Sequence, residues 1–191
     1  MAARRAVEKE LTQQMIIDVA HELFVEEGYQ NVSMRKIAKS LGYSHGAIYY
    51  HFTSKADLFT AMVDQDFAMI NKEIDKLDQL ELSNKEKLRE LLLGYIQFGV
   101  TYKNHYEVMF LIRDKEINSY DMESPIKSYQ KFAAKIAEFT NNQLPVPVIW
   151  SVFLMLHGFV AQYCRTDQSF ENIKSMADIH VDLILRSITK D

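Results

Sequence analysis

The residue types most able to do covalent or metal chemistry are sparse in this chain and badly spaced for it. The six histidines, His21, His45, His51, His105, His157 and His180, include no pair three or four residues apart, so no helix face offers two imidazoles to one ion. The single cysteine, Cys164, follows His157 by seven residues and has no orienting acid beside it, a weak basis for a nucleophile. No glycine-rich phosphate loop, HExxH or CxxC occurs. Catalytic residues, metal ligands and cofactors are therefore not expected. The chemistry that stands out is ionic. Residues 33–56 hold Arg35, Lys36, Lys39 and Lys55 and no Asp or Glu, a local +4 in a chain of net charge −4, which leaves −8 on the remainder. Such asymmetry points to one anion-facing patch on an acidic body.

The elements that must present this patch are helical. Period 3.6 runs through the whole chain and no strand-like alternation appears. Helices are expected over about 11–27, 34–41, 45–51, 54–77, 83–103, 104–113, 124–140, 148–163 and 170–188, nine in all. Ser33 and Ser44 are placed to cap the second and third. Gly42 ends the second with a sharp turn. Ser54 to Asp57 resembles a capping box, Ser83 to Glu86 is a cleaner one, and Ser124-Pro125 and Pro147 are read as helix starts. Two short helices joined by Leu41-Gly42-Tyr43-Ser44 make a helix-turn-helix pattern. The third helix turns Ile48 inward and presents His45, Gly46, Ala47, Tyr49, Tyr50 and His51 on its other face. Small residues there allow close approach to a groove or phosphate. The positive helix end favours phosphate, and a carboxylate would repel it. The competing reading of Tyr49 and Tyr50 is that they pack the small amino-terminal bundle.

Residues 24–59, "FVEEGYQNVSMRKIAKSLGYSHGAIYYHFTSKADLF", resemble the amino-terminal signature of the TetR family of transcriptional regulators. Phe24, Gly28, Ser33, Ile37-Ala38, Gly42, Gly46, Tyr49, Phe52, Lys55 and Leu58-Phe59 stand in order and at family spacing. The resemblance covers about residues 11–60 and implies an all-α protein: a DNA-binding helix-turn-helix domain over 1–55, then a ligand-binding and dimerisation domain over 56–191 linked through the fourth helix. It implies double-stranded operator DNA as a partner. Thr12, Ser33, Tyr49 and Lys55 would then be phosphate contacts, with His51 at the backbone edge. Arg35, Ser44, His45, Ala47 and Tyr50 would meet bases or nearby phosphates, around the close-approach position Gly46. His45 departs from the Lys or Arg common at its position. The family mechanism would shift the angle of the fourth helix against the body and so the spacing of the two recognition helices.

Behind this domain the helix over 148–163 is apolar nearly all round, as is the last helix. An all-round apolar helix must be buried on every side, which suggests core on one face and a second subunit on the other. Val152, Leu156, Val160, His180, Leu183 and Ile184 are expected at that homodimer interface; the competing reading is a central helix buried in a monomer. Aromatic residues at helical spacing suggest a pocket for a small, largely apolar effector. Its candidate residues are Phe98, Tyr102, Met109, Phe110, Arg113, Tyr129, Met155, Phe159 and Gln162, although such a stripe also reads as plain core. The alternative is control by a protein partner, with residues 114–123 as a docking loop, or no effector. One cysteine fits a reducing cytosol, no signal peptide is visible, and no run of 18 uninterrupted apolar residues suggests a membrane span. A cytoplasmic regulator, repressor more often than activator, is the expectation.

Overall fold

A computed structural model describes residues 10–112 and 123–189. Arg113 and the 114–122 portion of the expected docking loop lie outside the described residues. Nine α-helices and no strand occur among the described residues: α1 (Gln13–Glu27), α2 (Met34–Leu41), α3 (His45–His51), α4 (Lys55–Lys76), α5 (Asn84–Thr101), α6 (Lys103–Tyr106), α7 (Glu123–Phe139), α8 (Val146–Tyr163) and α9 (Phe170–Ile188). The described chain divides into two units. One comprises residues through Val63 together with Ile112; the other runs from Asp64 to Leu111 and resumes after the gap.

In the first unit, local hydrogen bonds set the helix ends. Thr12 Oγ1 accepts the N–H of Met15 and Ser33 Oγ that of Lys36, each at 3.2 Å. Gly42 has φ +75° and closes α2: its N–H reaches the Lys39 carbonyl and the N–H of Tyr43 reaches that of Ala38. This paired closure requires the left-handed backbone that glycine adopts without strain. Ile16, Ala20, Ile37, Ala38 and Ile48 are fully or almost fully buried beneath a cluster of Phe24, Tyr29 and Phe59, whose ring centroids lie 5.2–5.9 Å apart. At α4, Ser54 Oγ accepts the Asp57 N–H, but the Asp57 carboxylate takes both the N–H and the hydroxyl of Thr53 rather than the N–H of Ser54. Two donors on Thr53 outcompete the single one of the expected box.

The second unit is built around α5, which packs on α7, α8 and α9. Ser83 and Glu86 form the expected capping box, and the two donors of Ser83 hold the Glu86 carboxyl below its usual range. The α5 helix stops at Thr101, before Asn104, and a π-helical turn over Glu107–Leu111 follows α6. Two expected caps are corrected. The α7 helix already includes Ser124, whose hydroxyl donates to Asp64 Oδ1 at 2.5 Å, and α8 begins at Val146, after Pro145, so Pro147 sits one residue inside the first helical position. At Gly99 an added Cβ would lie 2.3 Å from Val160 Cγ1 and 2.9 Å from Tyr106 Cδ2, so glycine sets how closely α5 meets α8.

Four of the six residues expected at a homodimer interface are corrected, while His180 is half-buried and Leu183 exposed. Val152, Leu156 and Val160 are wholly buried within this one chain and Ile184 almost so. These residues form core and present no surface to a partner. The outward apolar positions include Leu154 and Met155 on α8 and Met176, Ile179 and Leu183 on α9, with Leu183 59% exposed. Among the described residues α8 is the one helix that by length and composition alone is apolar enough to cross a membrane. Here its buried stripe packs on α5.

Candidate functional site

The α2–turn–α3 unit presents the acid-free segment to solvent. Ser44 Oγ accepts the N–H of Ala47 at 3.2 Å and starts α3, while Ile48 anchors that helix in the core. With Ile48 fixed inward, Ser44, His45, Gly46, Tyr49 and Tyr50 face out. Tyr50 is 87% exposed, which excludes packing as its role, and Tyr49 is 43% exposed with its ring edge-on to His45 at 4.7 Å. Ala47 and His51 are half-buried; His51 meets the Tyr50 ring edge-on and its carbonyl accepts from Gln13 Nε2. Thr12 is exposed where it caps α1.

Ser33, Arg35, Lys36, Lys39 and Ser40 line a shallow surface groove along α2. Two cations of the segment have internal partners that its sequence did not disclose. Lys36 is ion-paired with Glu27. Lys55 donates to the Tyr29 carbonyl at 2.9 Å with its ammonium 3.9 Å over the Tyr29 ring. The charge turned to solvent is therefore carried by Arg35 and Lys39, both exposed. At Gly46 an added Cβ would meet nothing within 4 Å, so packing inside this chain does not demand glycine there.

The second unit contains a cavity of about 340 Å³. Phe67, Ile70 and Ile74 of α4 form one wall, Tyr95 of α5 and Phe110 of the π turn another. Pro125, Ile126, Ser128, Tyr129 and Phe132 of α7 close it together with Trp150 and Phe153 of α8. Of the nine expected pocket residues, Phe110 and Tyr129 line it. Phe98 and Met109 are buried elsewhere, Tyr102 is exposed, and Arg113 is not described. Met155, Phe159 and Gln162 stand on the other side of α8, where Phe159 packs on His180 at 4.8 Å and His180 Nε2 donates to the Met155 carbonyl. One helix has two sides, and a stripe of spacing does not say which side is hollow. Phe67, Ile70 and Ile74 recur at helical spacing in the sequence, although nothing in that spacing separates cavity from core. Behind the cavity the hydroxyls of Tyr95 and Tyr106 lie 3.1 Å apart, and that of Tyr106 is 2.6 Å from His157 Nδ1.

A capped helix-turn-helix with an exposed, acid-free second helix stands in a chain that is all-helical among the described residues, and this defines a helix-turn-helix fold class. Residues 16–62 match the family described as bacterial regulatory proteins, tetR family, so the amino-terminal part of the chain is similar to members of that family. An HTH-type transcriptional regulator of Staphylococcus aureus, SAR2658, is 36% identical over 90 residues, 47% of this chain and 49% of that relative. AcrR of Shigella flexneri is 33% identical over 123 residues, 60% of this chain and 54% of AcrR. The chain thus spans about half the length of these curated relatives. A tetR-family regulatory protein from Rhodococcus RHA1 shares the fold with a TM-score of 0.76 at 19% identity, covering 94% of this chain and 97% of that one. The regulator FadR of Bacillus subtilis, solved in complex with stearoyl-CoA, does so with a TM-score of 0.75 at 19% identity, covering 93% and 100%.

Proposed function

We propose that this protein is a cytoplasmic DNA-binding transcriptional regulator that sits as a homodimer on a palindromic operator, represses, and is released by a small apolar effector. The observation that carries the reading is α3, a helix anchored by one buried residue and otherwise offering Ser44, His45, Gly46, Ala47, Tyr49 and Tyr50 to a groove with no carboxylate to repel phosphate. In this reading residues 1–55 form the DNA-binding domain and 56–191 the effector and dimer domain. Thr12, Ser33, Arg35, His51 and Lys55 contact phosphates or neighbouring bases.

Dimerisation is supported by the outward apolar residues of α8 and α9, which His180 ties together through Met155. Exposed apolar surface of this kind marks an interaction site. A two-fold axis between the paired subunits would set the recognition helices about 34–36 Å apart, one turn of duplex. Effector control is supported by the cavity, since α4 carries Phe67, Ile70 and Ile74 to its wall and begins only four residues after α3 ends. Coupling of this kind is typically about 1–3 kcal/mol.

The test is electrophoretic mobility shift with fragments of DNA lying upstream of the protein's own gene, at low ionic strength. A symmetric footprint that weakens steeply with salt is expected, and Tyr50→Ala should change its sequence preference while stability stays within about 0.5 kcal/mol. Absence of preference for any fragment would overturn the reading.

A further inference from the structure

The walls of the cavity carry a chemical preference. Among the described residues none that lines it is charged, and seven are aromatic. Two of its polar groups are turned to other partners. The Ser128 hydroxyl donates to Asn71 Oδ1 at 2.9 Å, and the Tyr95 hydroxyl pairs with that of Tyr106. Burial raises the pKa of the Tyr95 and Tyr129 phenols, so both stay neutral and supply no counter-charge. The α7 cations nearby are already matched, Lys127 with Glu123 and Lys131 with Asp75.

We infer that the cavity takes an uncharged aromatic molecule of about two fused rings and discriminates against the same rings bearing a charge of either sign. The inference rests on the effector reading above and narrows it. Size sets the first half: about 340 Å³ is more than twice the roughly 150 Å³ of a dry apolar cavity that admits benzene. Ring geometry sets the second. Tyr129 stands edge-on to Trp150 at 81° and to Phe153 at 78°, while Trp150 and Phe153 stack at 23° with centroids 5.2 Å apart. This wall presents both edges and faces, the two arrangements a flat π system prefers. A carboxylate or ammonium entering it would leave water for a surface with almost no polar area and, among the described residues, no opposite charge. The attraction of a cation for ring faces offsets only part of that loss.

Equilibrium dialysis of the full chain without DNA against naphthalene, decalin, 2-naphthoate and (2-naphthyl)trimethylammonium tests this directly. Naphthalene should bind at least about tenfold tighter than either ion, the direction set by desolvation, and several-fold tighter than decalin, which has the same carbons without the π system. Ile126 is 58% exposed at the cavity lip, so Ile126→Arg is tolerated by the fold. That variant should raise 2-naphthoate binding by about tenfold, as a charge placed opposite a carboxylate favours it. An ion bound as tightly as naphthalene, decalin bound as tightly, no probe bound, or an Ile126→Arg variant without the gain overturns the inference. None of these outcomes touches DNA recognition, which mobility shift measures without any ligand.

Discussion

The ammonium of Lys55 stands 3.9 Å above the ring of Tyr29 and donates to the carbonyl of the same residue at 2.9 Å. The first residue of α4 thus ties that helix to the turn after α1, in addition to its proposed place at the DNA backbone. Lys55→Met should lower stability to urea by about 1–2 kcal/mol, from a cation–π contact and a charge-assisted hydrogen bond. It should also reduce the salt slope of DNA binding by about 1. An unchanged slope with the stability loss would reassign Lys55 to a structural role alone.

Gly46 separates fold from function in the opposite direction. Because a Cβ there meets nothing within 4 Å, Gly46→Ala should stabilise α3 by up to about 0.5–1 kcal/mol. The same methyl group should weaken operator binding by holding the helix off the groove. A denaturant curve and a binding isotherm on one preparation check both signs. Equal or tighter DNA binding would show that close approach does not occur at this residue.

Leu183 and Leu156 lie on the two helices credited with pairing the subunits, yet one is 59% exposed and the other wholly buried. Leu183→Glu should therefore give folded monomers by light scattering, with a helical circular dichroism spectrum unchanged from the parent. Leu156→Glu should cost about 4 kcal/mol or more, because a carboxylate would be placed in core without a partner. A stable Leu183→Glu dimer would move the interface off this face.

Tyr106 bridges Tyr95 and His157, and Tyr106→Phe removes the hydroxyl both of them meet. A loss of about 1–3 kcal/mol in urea unfolding is expected. Burial raises the pKa of Tyr95 and Tyr106 far above the ordinary phenol range. The folded chain therefore keeps protons that the unfolded chain releases near pH 10. Their contribution is fully present below that pH and is lost as pH rises beyond it. Stability measured from pH 9 to 11 should fall, and fall less steeply in a Tyr95→Phe, Tyr106→Phe double variant.

The amino acids alone determined the all-helical class, the capped α2–turn–α3 unit and the acid-free surface of α3. Those features rest on contacts within a few residues: Ser33 and Ser44 with N–H groups three positions on, Gly42 in its left-handed turn, and the spacing of Ile48 among polar neighbours. The tertiary structure decided which side of an apolar helix faces the core. Spacing on α8 is satisfied equally well by Val152, Leu156 and Val160 inward or outward, and only packing against α5, set close by Gly99, selects one. The cavity is likewise a gap between α4, α5, α7 and α8, and the inward partners of Lys36 and Lys55 come from distant turns. Local hydrogen bonds are written in neighbouring residues, whereas burial and charge pairing depend on which segments meet.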